Sequence, residues 1–241
     1  MARQVINLRK KFKIKNNEEI EEAEVNEISE DELEDLRFGS YPLPWIWIDD
    51  EISDRTPRIV FNGLRMAQMK KLPIAIIGIS SYGGSVHSAL EIFDTIESFK
   101  SNGLAIATVG VGKVMSAGAF LLAAGTKDLR FCSENCTLMV HEVSAGHEGK
   151  MMDLKVSYKE TERLSNLYFK IMANNCGKDE AEFQKQFLDK PDVYLTPTQA
   201  LEWGIVDRVA MPVFNINVVP DFNVNIQFDG DKPMVENKVV N

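Results

Sequence analysis

The sequence predicts an α/β domain of repeated strand–helix units, and three observations carry that prediction. Ile74-Ala75-Ile76-Ile77-Gly78-Ile79 and Ala105-Ile106-Ala107-Thr108-Val109 are almost continuously apolar, as strands of a parallel sheet covered on both faces must be. Each is followed by a segment with helical spacing of apolar residues. Glycines at 103, 125, 177 and 204 close successive helical segments.

The elements follow in order. Trp45-Ile46-Trp47-Ile48 is a short strand, with Asp49-Asp50-Glu51 as its turn. Residues 60–70 form a helix in which Val60, Leu64, Ala67 and Met69 share a face. After Pro73 come the first buried strand and a Gly83-Gly84 turn, then a helix over 85–100 with Ala89, Ile92, Phe93 and Ile96 inward. The second buried strand leads to a helix over 116–124. Leu129-Arg130-Phe131 and Thr137-Leu138-Met139-Val140 are further strands. A long helix spans 152–175 and a short one 180–187. Thr196 caps a helix that has Pro197 at its first position and runs through Glu202. Residues 205–209 form a last strand, and 214–219 alternate like an edge strand.

Residues 1–40 differ from the rest. Arg9-Lys10-Lys11-Phe12-Lys13-Ile14-Lys15 gives way to an acidic run over 18–35, and such like-charge blocks bury little. The expected organisation is an arm over 1–40, partly disordered or helical only on contact, a domain over 41–211, and a C-terminal extension over 212–241.

Composition narrows the function. A chain of 241 residues is long enough for one full core. A net charge of -9 argues against a general nucleic-acid binder, which needs a basic face. No apolar run approaches a membrane span, and residues 1–10 have no signal-peptide core, so a cytoplasmic location without membrane partners is expected. Cys132, Cys136 and Cys176 are odd in number and not in CxxC spacing, and the three histidines are not paired at ligand spacing. Buried reduced thiols and no metal or cofactor are expected.

The chemistry concentrates in three places. Gly112-Lys113-Val114-Met115-Ser116-Ala117-Gly118-Ala119 sets a serine among small residues at a helix start, where the helix N-terminus stabilises developing negative charge. His141 ends an apolar strand, the setting for a neutral imidazole base. Gly83-Gly84 lacks the spacing of a phosphate loop, but its N–H groups are open to a substrate oxyanion. Taken singly, each has a plainer role as helix cap, packed histidine or tight turn. Together they point to acyl transfer by a serine–histidine pair. Such a base needs an orienting carboxylate, and Asp189 and Asp192 both follow the long helix; the spacing leaves the choice open. His87 and His147 are expected to be solvated or packing residues.

From Ser80 to Val209 the chain resembles the ClpP family of self-compartmentalised serine peptidases, whose phage-encoded members show divergence of the kind seen here. The resemblance rests on Ser81-Tyr82-Gly83-Gly84-Ser85-Val86, Ile92-Phe93-Asp94-Thr95-Ile96, Met115-Ser116-Ala117-Gly118-Ala119-Phe120-Leu121-Leu122-Ala123-Ala124-Gly125, Met139-Val140-His141, and the segment from Tyr194 through Trp203-Gly204 to Asp207, in that order. It implies a crotonase-type superhelix of β-β-α units with a protruding long helix. It assigns Ser116 as nucleophile, His141 as base and Asp192 as acid, with Asp189 as runner-up because the preceding loop is slightly longer than usual. It places the oxyanion hole at the N–H groups of Gly84 and Ala117. It further implies a peptide or unfolded-protein substrate added as a strand along the residues after Gly84 and those of 141–149. Homo-oligomeric rings meeting through the long helix, and an AAA+ unfoldase partner, belong to the same expectation. The chain departs from the family pattern at Tyr82 (usually proline), at Glu142-Val143 (usually glutamine-proline) and at Ala117 (usually methionine). Alternatives are a capsid (prohead) maturation protease of the same family, a catalytically silent scaffold subunit, and an acyl-CoA enzyme on the same fold.

Overall fold

The computed structural model describes residues 12–16, 19–23, 45–188 and 190–214. Strands β1 (Phe12–Asn16) and β2 (Glu19–Ala23) pair antiparallel, so part of the expected arm is a hairpin of strands. Its register sets Lys13 opposite Glu22 and Lys15 opposite Ile20, joining the basic block to the acidic one. These strands lie outside the compact unit Tyr41–Phe214.

That unit begins with β3 (Trp45–Ile48) and α1 (Thr56–Met69). The helix starts before the apolar pattern predicts, because Pro57 opens its first turn and the Thr56 hydroxyl accepts the Ser53 N–H at 3.0 Å. Next come β4 (Ile74–Ser81), α2 (Val86–Ser101), β5 (Ala105–Met115) and α3 (Ala117–Ala123). Then follow β6 (Arg130–Cys132), β7 (Thr137–Val140), α4 (Met151–Cys176) and α5 (Glu180–Phe187). The unit ends with β8 (Val193–Leu195), α6 (Pro197–Glu202) and β9 (Arg208–Val209). The last strand is shorter than expected, since Ile205 and Val206 are spent as buried packing residues after α6. Phe214 belongs to no strand and packs edge-on against Phe131; the rest of the expected edge strand lies outside the described residues.

All seven strands of the unit form one sheet, in the order β3-β4-β5-β6-β9 with β7 and β8 branching from β5. Every pairing is parallel except β7 with β8. The branch has a local cause. Strand β5 is long, its first half pairs β6 through Thr108–Gly110, and its second half pairs β7 through Lys113–Met115. Between the halves Gly112 adopts φ 70°, a left-handed step that turns the strand from one neighbour to the other.

The core lies under this fork. Ile76, Ile77, Ile79, Ile106 and Val109 are fully buried on the central strands, as their continuous apolar runs require. All of α3 is buried, which its composition of Ala, Gly, Leu and Phe permits. A ring cluster of Phe169, Phe183, Phe187 and Trp203 fastens α4, α5 and the end of α6 together. Among the described residues no helix is long and apolar enough to cross a membrane.

Candidate active site

Ser116 sits between β5 and α3 in a backbone conformation that an L-residue rarely adopts, φ 52° and ψ -123°. Such a conformation costs about 1–3 kcal/mol and persists only where its surroundings enforce it. Here its N–H donates to the Met139 carbonyl at 2.8 Å. Its carbonyl accepts the N–H groups of Ala119 (2.9 Å) and Phe120 (3.2 Å) and the Tyr168 hydroxyl (2.8 Å). The result is a sharp elbow with the side chain half-buried at its apex.

Strand registers deliver the other two groups. In the parallel pair Met115 lies beside Met139, so the residues just past each strand, Ser116 and His141, are neighbours. His141 Nε2 is 2.8 Å from Ser116 Oγ. In the antiparallel pair Val140 faces Val193, so the next rung sets His141 opposite Asp192. His141 Nδ1 is 3.2 Å from Asp192 Oδ1. A carboxylate can only accept, so Nδ1 carries the proton and Nε2 is left to accept the serine hydroxyl. Asp189 lies outside the described residues. Strand β8, which sequence spacing does not reveal, is what brings Asp192 here.

The Gly83-Gly84 turn supplies the facing wall. A Cβ on Gly83 would stand 2.7 Å from Ser116 Cβ, and one on Gly84 would stand 2.2 Å from the Ile52 carbonyl oxygen. Both residues have positive φ, so glycine is required for space and conformation alike. The bridge between Ile52 and Gly84 uses the Gly83 carbonyl (2.8 Å) and the Ser85 N–H (2.7 Å). A parallel bridge of this form leaves the Gly84 N–H unused. Ala117 is the first residue of α3, where an N–H has no partner within its helix. Gly84 and Ala117 border the same cleft as Ser116 and His141.

A family model described as Clp protease matches residues 44–212. The chain belongs to the Clp protease family. The match reaches back across β3 and α1, whereas the motif resemblance began only at Ser80. At family level this makes the chain a ClpP-like protease, from a group whose members form rings and act on peptides.

The Clp protease cleft in this chain encloses about 610 Å³. Val86, Val143, Val156 and Leu164 give it apolar walls, while His87, Glu142, His147 and Glu160 give it polar ones. His87 and His147 are exposed, as solvated residues would be, but both border the cleft, which no local sequence signal indicates. The cause is tertiary: the segment after His141 runs along α4. The Val143 N–H donates to Ser165 Oγ at 2.9 Å, and His147 Nε2 lies 3.2 Å from Thr161 Oγ1. Hydrogen bonds from Arg163 hold the Glu160 carboxyl below the usual carboxylate range. Lys113 Nζ lies 4.9 Å from the Tyr82 ring centroid, in a cation–π contact.

The cysteines are thiols away from this chemistry. Burial pushes Cys132 up to about 11 and Cys136 and Cys176 up to about 12, so none is a ready thiolate. Among the described residues no three His, Cys, Asp or Glu side chains form a group able to hold a metal ion.

Proposed function

We propose that this chain is a serine endopeptidase that cuts peptides through an acyl-enzyme on Ser116. The observation that carries this reading is the continuous contact Ser116 Oγ···Nε2 His141 Nδ1···Oδ1 Asp192, at 2.8 and 3.2 Å. Nε2 takes the hydroxyl proton as Oγ bonds to the substrate carbonyl carbon. The oxygen of the tetrahedral intermediate becomes negative and accepts from the N–H groups of Gly84 and Ala117, each worth about 3–4 kcal/mol of barrier by analogy with other hydrolases. The imidazolium returns its proton to the amide nitrogen, the C–N bond breaks, and the amine leaves. Water then gives a proton to Nε2 as it attacks the ester carbon; the C–Oγ bond breaks, Oγ takes the proton back from the imidazolium, and the acid leaves. Asp192 keeps the imidazole in the required tautomer and offsets its charge while it is protonated.

Residues 141–148 belong to no strand, which suits addition of an extended substrate beside the triad. A ring assembly fits the exposed apolar side chains Met151, Met152, Val156 and Tyr158 on the first half of α4. The second half buries Leu164, Tyr168, Phe169 and Met172 in the chain's own core.

Intact-mass analysis after fluorophosphonate treatment tests the nucleophile, and native mass of the same sample tests the assembly. One adduct per chain on wild type and none on Ser116→Ala is the expected result. A particle that takes no adduct would instead be a silent scaffold subunit.

A further inference from the structure

One peptide unit joins Ser116 to Ala117, and its two polar ends point in opposite directions, as in any trans peptide. Ala117 borders the cleft, and as the first residue of α3 it has an N–H with no partner within the helix. The Ser116 carbonyl, on the other side, accepts three hydrogen bonds. Two come from Ala119 and Phe120 in the first turn of α3 and are ordinary for a helix start. The third comes from Tyr168 on α4, 52 positions further along the chain, at 2.8 Å.

Tyr168 is built to hold that hydroxyl still. Its residue is 3% exposed. Its ring stacks on Phe120 with centroids 4.6 Å apart and meets Phe169 edge-on at 5.5 Å. Burial pushes its phenol well above the usual range, so the group stays a donor.

We propose that Tyr168 is a positioning residue for the oxyanion hole: its hydroxyl fixes the plane of the Ser116–Ala117 peptide and polarises the Ala117 N–H through the shared amide. This rests on the serine-peptidase reading above. A donor on an amide oxygen draws electron density from nitrogen and makes the N–H a stronger donor in turn, the usual cooperativity of hydrogen-bond chains. The benefit is largest when the substrate oxygen is negative, so it favours the tetrahedral state over bound substrate. The same bond helps hold the strained elbow at Ser116. Because Ala119 and Phe120 still satisfy the carbonyl, removal of the hydroxyl orphans no buried acceptor.

The test is Tyr168→Phe, which keeps the ring that borders the cleft. Its readout is affinity for a peptide boronic acid, whose tetrahedral adduct on Ser116 occupies the oxyanion hole, set against KM for the matching peptide. We expect the boronate to bind roughly fivefold more weakly and kcat to fall by a similar factor, with KM and native mass unchanged. Unchanged boronate affinity overturns the inference, and so does a parallel loss in KM, which would mark a general substrate contact. If Tyr168→Phe does not assemble, 3-fluorotyrosine at 168, a stronger donor, decides: tighter boronate binding supports the role and unchanged binding overturns it. Wild type that takes no fluorophosphonate on Ser116 overturns the peptidase reading and this inference with it. Wild type that labels normally while the variants match it overturns the inference alone.

Discussion

Asp207 and Asp192 each partner a basic side chain, and their surroundings differ. Asp207 meets Arg130 through Nε–H to Oδ2 at 2.8 Å and Nη2–H to Oδ1 at 2.5 Å, with side chains only 4% and 11% exposed for arginine and aspartate. The Arg130 N–H also donates to that carboxylate, and Nη1 donates to the Asn175 carbonyl at 2.8 Å. This pair ties β6, the end of α4 and the approach to β9 into one unit. Asp192 makes a single contact with His141 and its side chain is 52% exposed. A structural pair is strongest when every hydrogen bond is filled and neither charge can change. The proposed role of His141 requires its imidazole to gain and lose a proton in each turnover, and a solvated, singly bonded carboxylate suits that role.

The sharpest break in this contrast is loss of the proposed nucleophile. Ser116→Ala should lower kcat by roughly 10⁴-fold or more while the thermal midpoint and native mass are retained. Next comes the buried pair. Asp207→Asn leaves Arg130 without its counter-charge and should destabilise the fold by about 3–5 kcal/mol in denaturant titration, with activity per folded molecule kept. Asp192→Asn should do the reverse: kcat falls by roughly 10²–10³-fold, less than for a fully buried triad acid, and stability barely moves.

A pH series sharpens the comparison further. Burial pushes the Asp207 carboxyl up, but the hydrogen bonds and charge of Arg130 outweigh it and leave the pKa below 3.8. A lowered native value means this stabilisation is fully present above the unfolded pKa, near 3.8, and is lost as pH falls through the native one. The gap in unfolding free energy between wild type and Asp207→Asn should therefore be constant from neutral pH to about 5 and shrink below about 4. The smallest effect is expected from replacing both members. Arg130→Met with Asp207→Leu removes the desolvation cost along with the attraction and should recover most of the single-mutant loss.

Local pattern made most of the strands and helices legible. Buried strands announce themselves by unbroken apolar runs, so β4 and the start of β5 were plain from composition. Caps and prolines did the same for α6, where Thr196 and Gln199 form a reciprocal capping box. Strand β8 was not legible, because Val193-Tyr194-Leu195 is too short to show a period and exists only by pairing with β7. The early start of α1 was hidden because its first turn is set by Pro57 and Thr56 rather than by apolar spacing.

The site divides along the same line. By itself the sequence determined which residue types were available and how they were set locally: a serine at a helix start, an imidazole at a strand end, glycines where the chain must turn with positive φ. Those are properties of neighbouring residues and follow from short-range sterics and hydrogen bonding. Tertiary structure alone decided which carboxylate faces His141, which histidines border the cleft and which hydroxyl braces Ser116. Each of those depends on the forked register of β5 or on α4 packing against α3, contacts between segments far apart in the chain that no local pattern encodes.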